Sequence, residues 1–304
     1  WLKMRTHILS TPSPVLIYHH HDDNIFALAW SPDGRYLASG GRDRTVRVWH
    51  ALSGEDACVY REHRNPVLSL AWSPDGARLA SGDTAGEIHV WHVEDGERII
   101  TYHGHRRFVR SVAWSPDGSL IASGGDFGDS TVQLWRPDTG EQLSISPDLS
   151  RVFAVCWSPD GTRLAACGFR GGVHTWNALK GDQRFVYTGH SGPVYALGWS
   201  PDGTRLASAG QDGQVHIWED QSGRGRRIYR GHSRAIKALD WSPAGTSIAS
   251  GGDDAILRVW RADSGQDVLV YDVYTHWIRA LCWSPDGRYV ASASGKMVSL
   301  IALM

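Results

Sequence analysis

Short runs of alternating apolar and polar residues fill this chain, cut at regular intervals by turn residues. Residues 193–199 (PVYALGW) alternate with a period of two and predict a strand. Ser200, Pro201, Asp202 and Gly203 follow as a tight turn: Pro presets φ, Asp bonds its own backbone and Gly permits a positive φ. Residues 205–209 predict a second strand, residues 214–218 a third and residues 227–229 a fourth, the last with basic residues that discourage edge pairing. The phrase W-S-P-D-G starts at Trp30, Trp72, Trp114, Trp157, Trp199, Trp241 and Trp283, with Ala244 replacing Asp in the sixth copy. The copies lie 42 residues apart, except for one interval of 43. A fixed period of this size means one supersecondary unit in tandem. Four strands in each of seven copies predict 28 strands and an all-β chain.

A lone four-stranded sheet of this kind has two apolar faces and is not stable alone. Stacking the copies radially buries both faces, so a closed seven-bladed β-propeller of antiparallel blades is expected. First strands are expected near residues 25, 67, 109, 152, 194, 236 and 278. The chain ends three strands into its last copy, and the missing fourth lies at the other end, at residues 15–18. Pairing these with residues 297–301 would close the ring. The reading is an extension at residues 1–13 and one propeller domain at 14–304.

The G-H before the first strand, S-P-D-G after it, L-A-S-G in the second and V-x-V-W in the third resemble the WD-repeat family over nearly the whole chain. The wording of the copies is similar to that of bacterial members, which often form the sensing or docking part of a longer signalling protein. The initial Trp1 in place of Met is consistent with such a longer chain.

The resemblance implies a buried chain of hydrogen bonds from Trp to Ser to His to Asp within a copy. Four copies carry the full set: His21, Ser39, Asp43 and Trp49; His105, Ser123, Asp129 and Trp135; His190, Ser208, Asp212 and Trp218; His232, Ser250, Asp254 and Trp260. Such a network fixes blade geometry when every polar atom is satisfied. A hydrolase triad is a poor reading of the same residues, because the set recurs and an enzyme needs one site. The second copy keeps His63, Ser81 and Trp91 but has Ala85 for Asp. The fourth keeps only Trp176, beside Asp148, Ala166 and Arg170. The seventh keeps only Ser292, beside Tyr274, Lys296 and Ala302. Blades 4 and 7 are therefore expected to be the softer ones. The third copy has two extra residues in its second turn, within residues 124–129.

In the family, three positions per copy line the narrow top face and usually bind partners. They correspond here to Asn24, Pro66, Phe108, Arg151, Pro193, Ala235 and Trp277; to Phe26, Leu68, Arg110, Phe153, Tyr195, Lys237 and Arg279; and to Arg42, Thr84, Gly128, Phe169, Gln211, Asp253 and Gly295. Six are aromatic, five basic and one acidic, although the chain's net charge is only −1. Aromatic and Arg side chains at a partly desolvated mouth make binding hot spots, and the charge favours an acidic or phosphorylated segment. The expected partner-binding residues are Trp277, Arg279, Phe153, Arg151, Arg110, Phe108, Tyr195, Phe26, Arg42, Phe169 and Lys237. The competing reading is that aromatics plug the mouth and arginines pair with nearby carboxylates.

Near-neutral, interspersed charge argues against a nucleic-acid or anionic-membrane binder. No apolar run is long enough for a transmembrane helix, and the first residues lack the core of a signal peptide. Cys58, Cys156, Cys167 and Cys282 show no ligand spacing and read as reduced, buried thiols of a cytoplasmic protein. Residues 19–23 (HHHDD) look like metal-ligand material, but His21 belongs to the G-H column, so an exposed loop is the better reading. No cofactor, metal site or enzymatic motif is expected. The chain reads as a monomeric, non-catalytic protein-interaction scaffold. The alternative is a structural or regulatory module that docks on its own parent chain or self-associates.

Overall fold

The computed structural model describes residues 13–146 and 149–303. Among these, 28 strands form seven four-stranded antiparallel sheets, arranged as the blades of a β-propeller. In blade 1 the strands run outward as Ile25–Trp30, Tyr36–Gly41, Val46–His50 and Asp56–Tyr60. Blade 7 takes three strands from the C-terminal end (Ile278–Trp283, Tyr289–Ser294, Met297–Ala302) and its outermost, Leu16–Tyr18, from the other. The register pairs Leu16 with Leu300, Ile17 with Ser299 and Tyr18 with Val298, which closes the ring.

The repeated phrase has two physical jobs. Its turn is locked by its own side chains: Ser31 Oγ donates to Asp33 at 2.6 Å, the Arg35 amide donates to Asp33 at 3.0 Å and the Tyr36 amide donates to Ser31 Oγ at 2.9 Å. Gly34 has φ +71°, a left-handed conformation that favours glycine. In four copies its Trp also ties the blade to the preceding one by a hydrogen bond. The Trp72, Trp114, Trp157 and Trp241 indoles donate to the carbonyls of Ala29, Ala71, Ala113 and Gly198 at 3.1–3.2 Å.

Apolar clusters fill the spaces between blades rather than one central core. Trp49, Ile25 and Leu37 of blade 1 pack against Tyr18, Ala293, Val298 and Leu300 of blade 7. In five blades the Trp near the end of the third strand is roofed by a Tyr from the outer strand of the preceding blade. Tyr18, Tyr60, Tyr102, Tyr187 and Tyr229 lie nearly parallel to Trp49, Trp91, Trp135, Trp218 and Trp260 at 4.2–4.5 Å. Each stack combines large apolar burial with favourable ring contact. No helix among the described residues is long and apolar enough to cross a membrane.

Candidate functional site

The inter-strand networks come first, because they set the geometry of the top face. His21 Nε2 lies 2.8 Å from Ser39 Oγ and Nδ1 2.7 Å from Asp43, while the Trp49 indole donates to Ser39 at 3.4 Å. The His105, Ser123, Asp129, Trp135 set and the His232, Ser250, Asp254, Trp260 set repeat this pattern with separations of 2.7–3.1 Å. In blade 5, His190 bridges Ser208 and Asp212 at 2.9 Å each, but the Trp218 indole has no partner.

Blade 2 departs from the sequence reading. Ala85 does not leave its network open: Asp83, two residues earlier, lies 3.4 Å from His63 Nδ1, and His63 Nε2 and the Trp91 indole meet Ser81 at 2.7 and 3.2 Å. Asp83 occupies the place of Gly41 at the end of the second strand, close enough to reach the His without a longer turn. In blade 7 Tyr274 takes the place of His and hydrogen-bonds Ser292, so that copy also keeps a polar link. Blade 4 replaces the network by apolar packing of Leu149, Ala166 and Trp176. Its Asp148 lies outside the described residues, as does Trp1.

The inner strands carry side chains to the mouth of the central channel. Phe26, Leu68, Arg110, Phe153, Tyr195, Lys237 and Arg279 come from the seven inner strands, and Arg151 and Phe169 add to them around a cavity of about 350 Å³. Lys237 Nζ sits 3.5 Å above the Tyr195 ring, and Tyr195 lies 5.2 Å from Phe153 and donates to Gln211 at 2.6 Å. The Arg279 guanidinium lies 5.4 Å from both the Phe26 and the Trp277 rings. Trp277 is half exposed on the rim, Phe108 lies beneath Arg110, and Arg42 turns outward to Asp23 at 3.6 Å. These three do not line the cavity.

Two residues at this mouth escaped the sequence reading. Counting back from Asp129 places Gly128 in the turn column. The two-residue insertion shifts that register, and the position is held by Asp126, whose amide donates to the Phe108 carbonyl as Arg42 does to Asn24. Asp126 is buried and accepts from Arg110 Nε at 2.9 Å and from Arg151 Nε at 2.7 Å. Burial pulls its carboxyl upward, but the hydrogen bonds from Arg151 and Arg110 outweigh this and hold it below the usual carboxylate range. Asp253 is thus not the sole carboxylate of these columns; it pairs with Lys237 at 3.6 Å. The other missed residue is Phe127, 59% exposed and 5.7 Å from the Arg151 guanidinium. Aligning the copies from the strand residue Ser123 forward, instead of from Asp129 back, would have found both.

Arg151 is held under strain, with φ +61° after Ser150 at +50°, and its guanidinium also lies within 5.5 Å of the Phe153 and Phe169 rings. Arg279 has no carboxylate within salt-bridge distance among the described residues. Burial lowers its pKa, and so the cation gains from any anion that arrives.

His190, Asp212 and His216 bring three potential metal ligands within 4.8 Å. Their ring nitrogens are already engaged by Ser208, Asp212, Tyr187 and Gln214, and His63 stacks on His89 at 3.9 Å in the same way that His190 stacks on His216. The recurrence marks a blade contact. All four cysteines are free thiols, and burial raises those of Cys156, Cys167 and Cys282.

Short stretches resemble curated proteins. One is 50% identical over 42 residues to a periodic tryptophan protein 2 homolog of Mus musculus, covering 14% of this chain and 5% of that protein. Others are 52% identical over 29 residues to a probable cytosolic iron-sulfur protein assembly protein CIAO1 homolog of Nematostella vectensis (10% and 9%), and 57% identical over 28 residues to its counterpart in Cryptococcus neoformans (9% and 6%). The matches thus span under a tenth of these relatives, all of which are eukaryotic. The family match is far broader: residues 12–50, 54–92, 96–136, 142–177, 181–219, 223–261 and 266–301 each match WD40, the WD domain or G-beta repeat. With seven matched repeats over most of its length, and the propeller they build, this chain belongs to the WD40 family.

Proposed function

We propose that this propeller is a non-catalytic interaction scaffold that takes an acidic or phosphorylated protein segment at its top mouth. The observation that carries the reading is the mouth itself. Four cations, Arg110, Arg151, Lys237 and Arg279, stand among Phe26, Phe153, Phe169 and Tyr195 around one opening. Asp126 and Asp253 offset part of that charge and hold Arg110, Arg151 and Lys237 in place. Arg279 remains for the incoming anion, with Trp277 beside it as an exposed ring for a neighbouring apolar residue. Its free thiols fit a cytoplasmic setting.

The test is a peptide-array screen of the folded ring, with Trp277→Ala plus Arg279→Ala as the control. Acidic or phosphorylated hits lost in the double variant support the docking site. Hits indifferent to it move the site elsewhere. A folded ring without hits favours the second reading, a module that docks on its own parent chain or on another copy.

A further inference from the structure

Blades 2 and 5 share one local structure. In each, a buried His of the third strand (His89, His216) stacks at 3.9 Å on the His of the polar network (His63, His190). Its Nδ1 lies 2.9 Å from the hydroxyl of a Tyr in the preceding blade's outer strand (Tyr60, Tyr187). The two blades differ at the other ring nitrogen. In blade 5, His216 Nε2 is engaged by Gln214 Oε1 at 3.3 Å. In blade 2 the residue in that place is Glu87, with Oε2 3.6 Å from His89 Nε2.

Strand geometry adds a third group. Glu87 and His89 are two residues apart at the start of the strand Ile88–His92, so they share one face. The register pairs Ile88 with Tyr102 and His89 with Thr101, which sets His103 across from Glu87. His103 Nδ1 lies 3.7 Å from Glu87 Oε1. In blade 5 the matching place holds Arg230. Zinc bonds of 2.0–2.2 Å in a tetrahedral shell space the ligand atoms roughly 3.3–3.5 Å apart, so both contacts are near that spacing. The Glu87 and His103 side chains are 35% and 68% exposed and free to turn onto one ion, while His89 is buried and fixed.

Burial, then His63 and Arg98, lowers the pKa of His89 to about 3, so its imidazole is neutral. With Nδ1–H donated to Tyr60, Nε2 turns a lone pair toward Glu87, the kind of outer partner that orients a ligating His. Arg98 is the opposing charge nearby, and the Glu87 carboxylate offsets it.

We propose that Glu87, His89 and His103 form a site for a divalent ion of the zinc class at the boundary of blades 1 and 2, with water completing its shell. The ion crosslinks the third and fourth strands of blade 2 and, through His89 and Tyr60, braces that blade against blade 1. This site is separate from the top mouth and does not depend on the function proposed for it.

The experiment titrates the full chain, first stripped by a chelator that is then removed, with zinc chloride in competition with a chromophoric chelator. Thermal melts and crystals measured at the zinc absorption edge accompany it. Glu87→Gln and His103→Arg carry the residues that blade 5 holds at these places, and His19→Ala plus His20→Ala removes the other exposed histidines. The wild type is expected to bind one zinc ion with a Kd of about 10 μM or tighter and to melt higher in its presence. Each blade 2 variant should bind at least about tenfold more weakly and lose that rise, while the His19, His20 variant should match the wild type. Weaker binding by the wild type, or blade 2 variants that bind as it does, overturns the proposal. So does loss of binding in the His19, His20 variant, or an ion located at His190, Asp212 and His216 instead. Where one blade 2 variant does not fold, the other decides.

Discussion

Asp126 is the residue on which the electrostatics of the mouth turn. It is buried, while the two guanidinia that it accepts from are more than a third exposed, so their loss of a partner is softened by water. Asp126→Asn should cost about 1–3 kcal/mol in urea unfolding at neutral pH and should tighten binding of an acidic peptide. Its carboxyl lies below the normal value in the fold, so its stabilisation is present above the unfolded value and lost as pH falls through the folded one. The gap between variant and wild type should therefore narrow as pH falls below about 4 and close once pH is under the folded value; a gap undiminished over that descent would show that the ion pairs are not its source. Asp240 runs the other way. It is held between blades 6 and 7, accepts the Trp283 amide at 2.8 Å, and burial raises its pKa to about 7. The fold prefers its neutral form, so this group's contribution is complete below about pH 4, drains as pH rises from there and is gone above about pH 7. Asp240→Asn should match the wild type near pH 4 and exceed it by a few kcal/mol at pH 8, read by thermal melts across that range.

At the scale of a blade, what matters is whether a polar network is whole, not whether each residue sits in its usual column. Blade 2 shows this: His63 is fully buried and has Ser81 on one side and Asp83 on the other. Asp83→Ala should cost about 1–3 kcal/mol in chemical unfolding, because it strands a buried imidazole nitrogen. A neutral result would mean that the 3.4 Å contact contributes nothing. The repeat made the strands, turns and ring closure legible, because alternation and a fixed period act on every copy alike. It hid Asp83, Asp126 and Phe127 for the same reason: columns built by counting break where a copy shifts its acid or lengthens a turn. Six of the seven inner-strand mouth residues are polar or aromatic, and their column was readable. Their pairing with Asp126 was not, since it depends on contact across two blades.

For the molecule as a whole, stability rests on there being no free blade face. Each apolar cluster belongs to two neighbouring blades, so every blade depends on both of its neighbours. The seam is the three-residue strand Leu16–Tyr18, which pairs with Met297–Ala302 and sends the Tyr18 ring onto Trp49 of blade 1. Deleting residues 1–18 removes that strand and stack together, leaving an unpaired edge on blade 7 and an uncovered indole on blade 1. Losing an aromatic stack within an intact ring, as in Tyr229→Ala, should cost about 3–5 kcal/mol and leave one transition. The deletion should do more, since an open array can fray from its ends as a linear repeat does. Calorimetry should show a single transition for the wild type and for Tyr229→Ala, but a lower, broadened one for the deletion, with association through the bare edge. If the deletion melts as sharply as Tyr229→Ala, the blades are held by their pairwise clusters alone and closure adds no cooperativity.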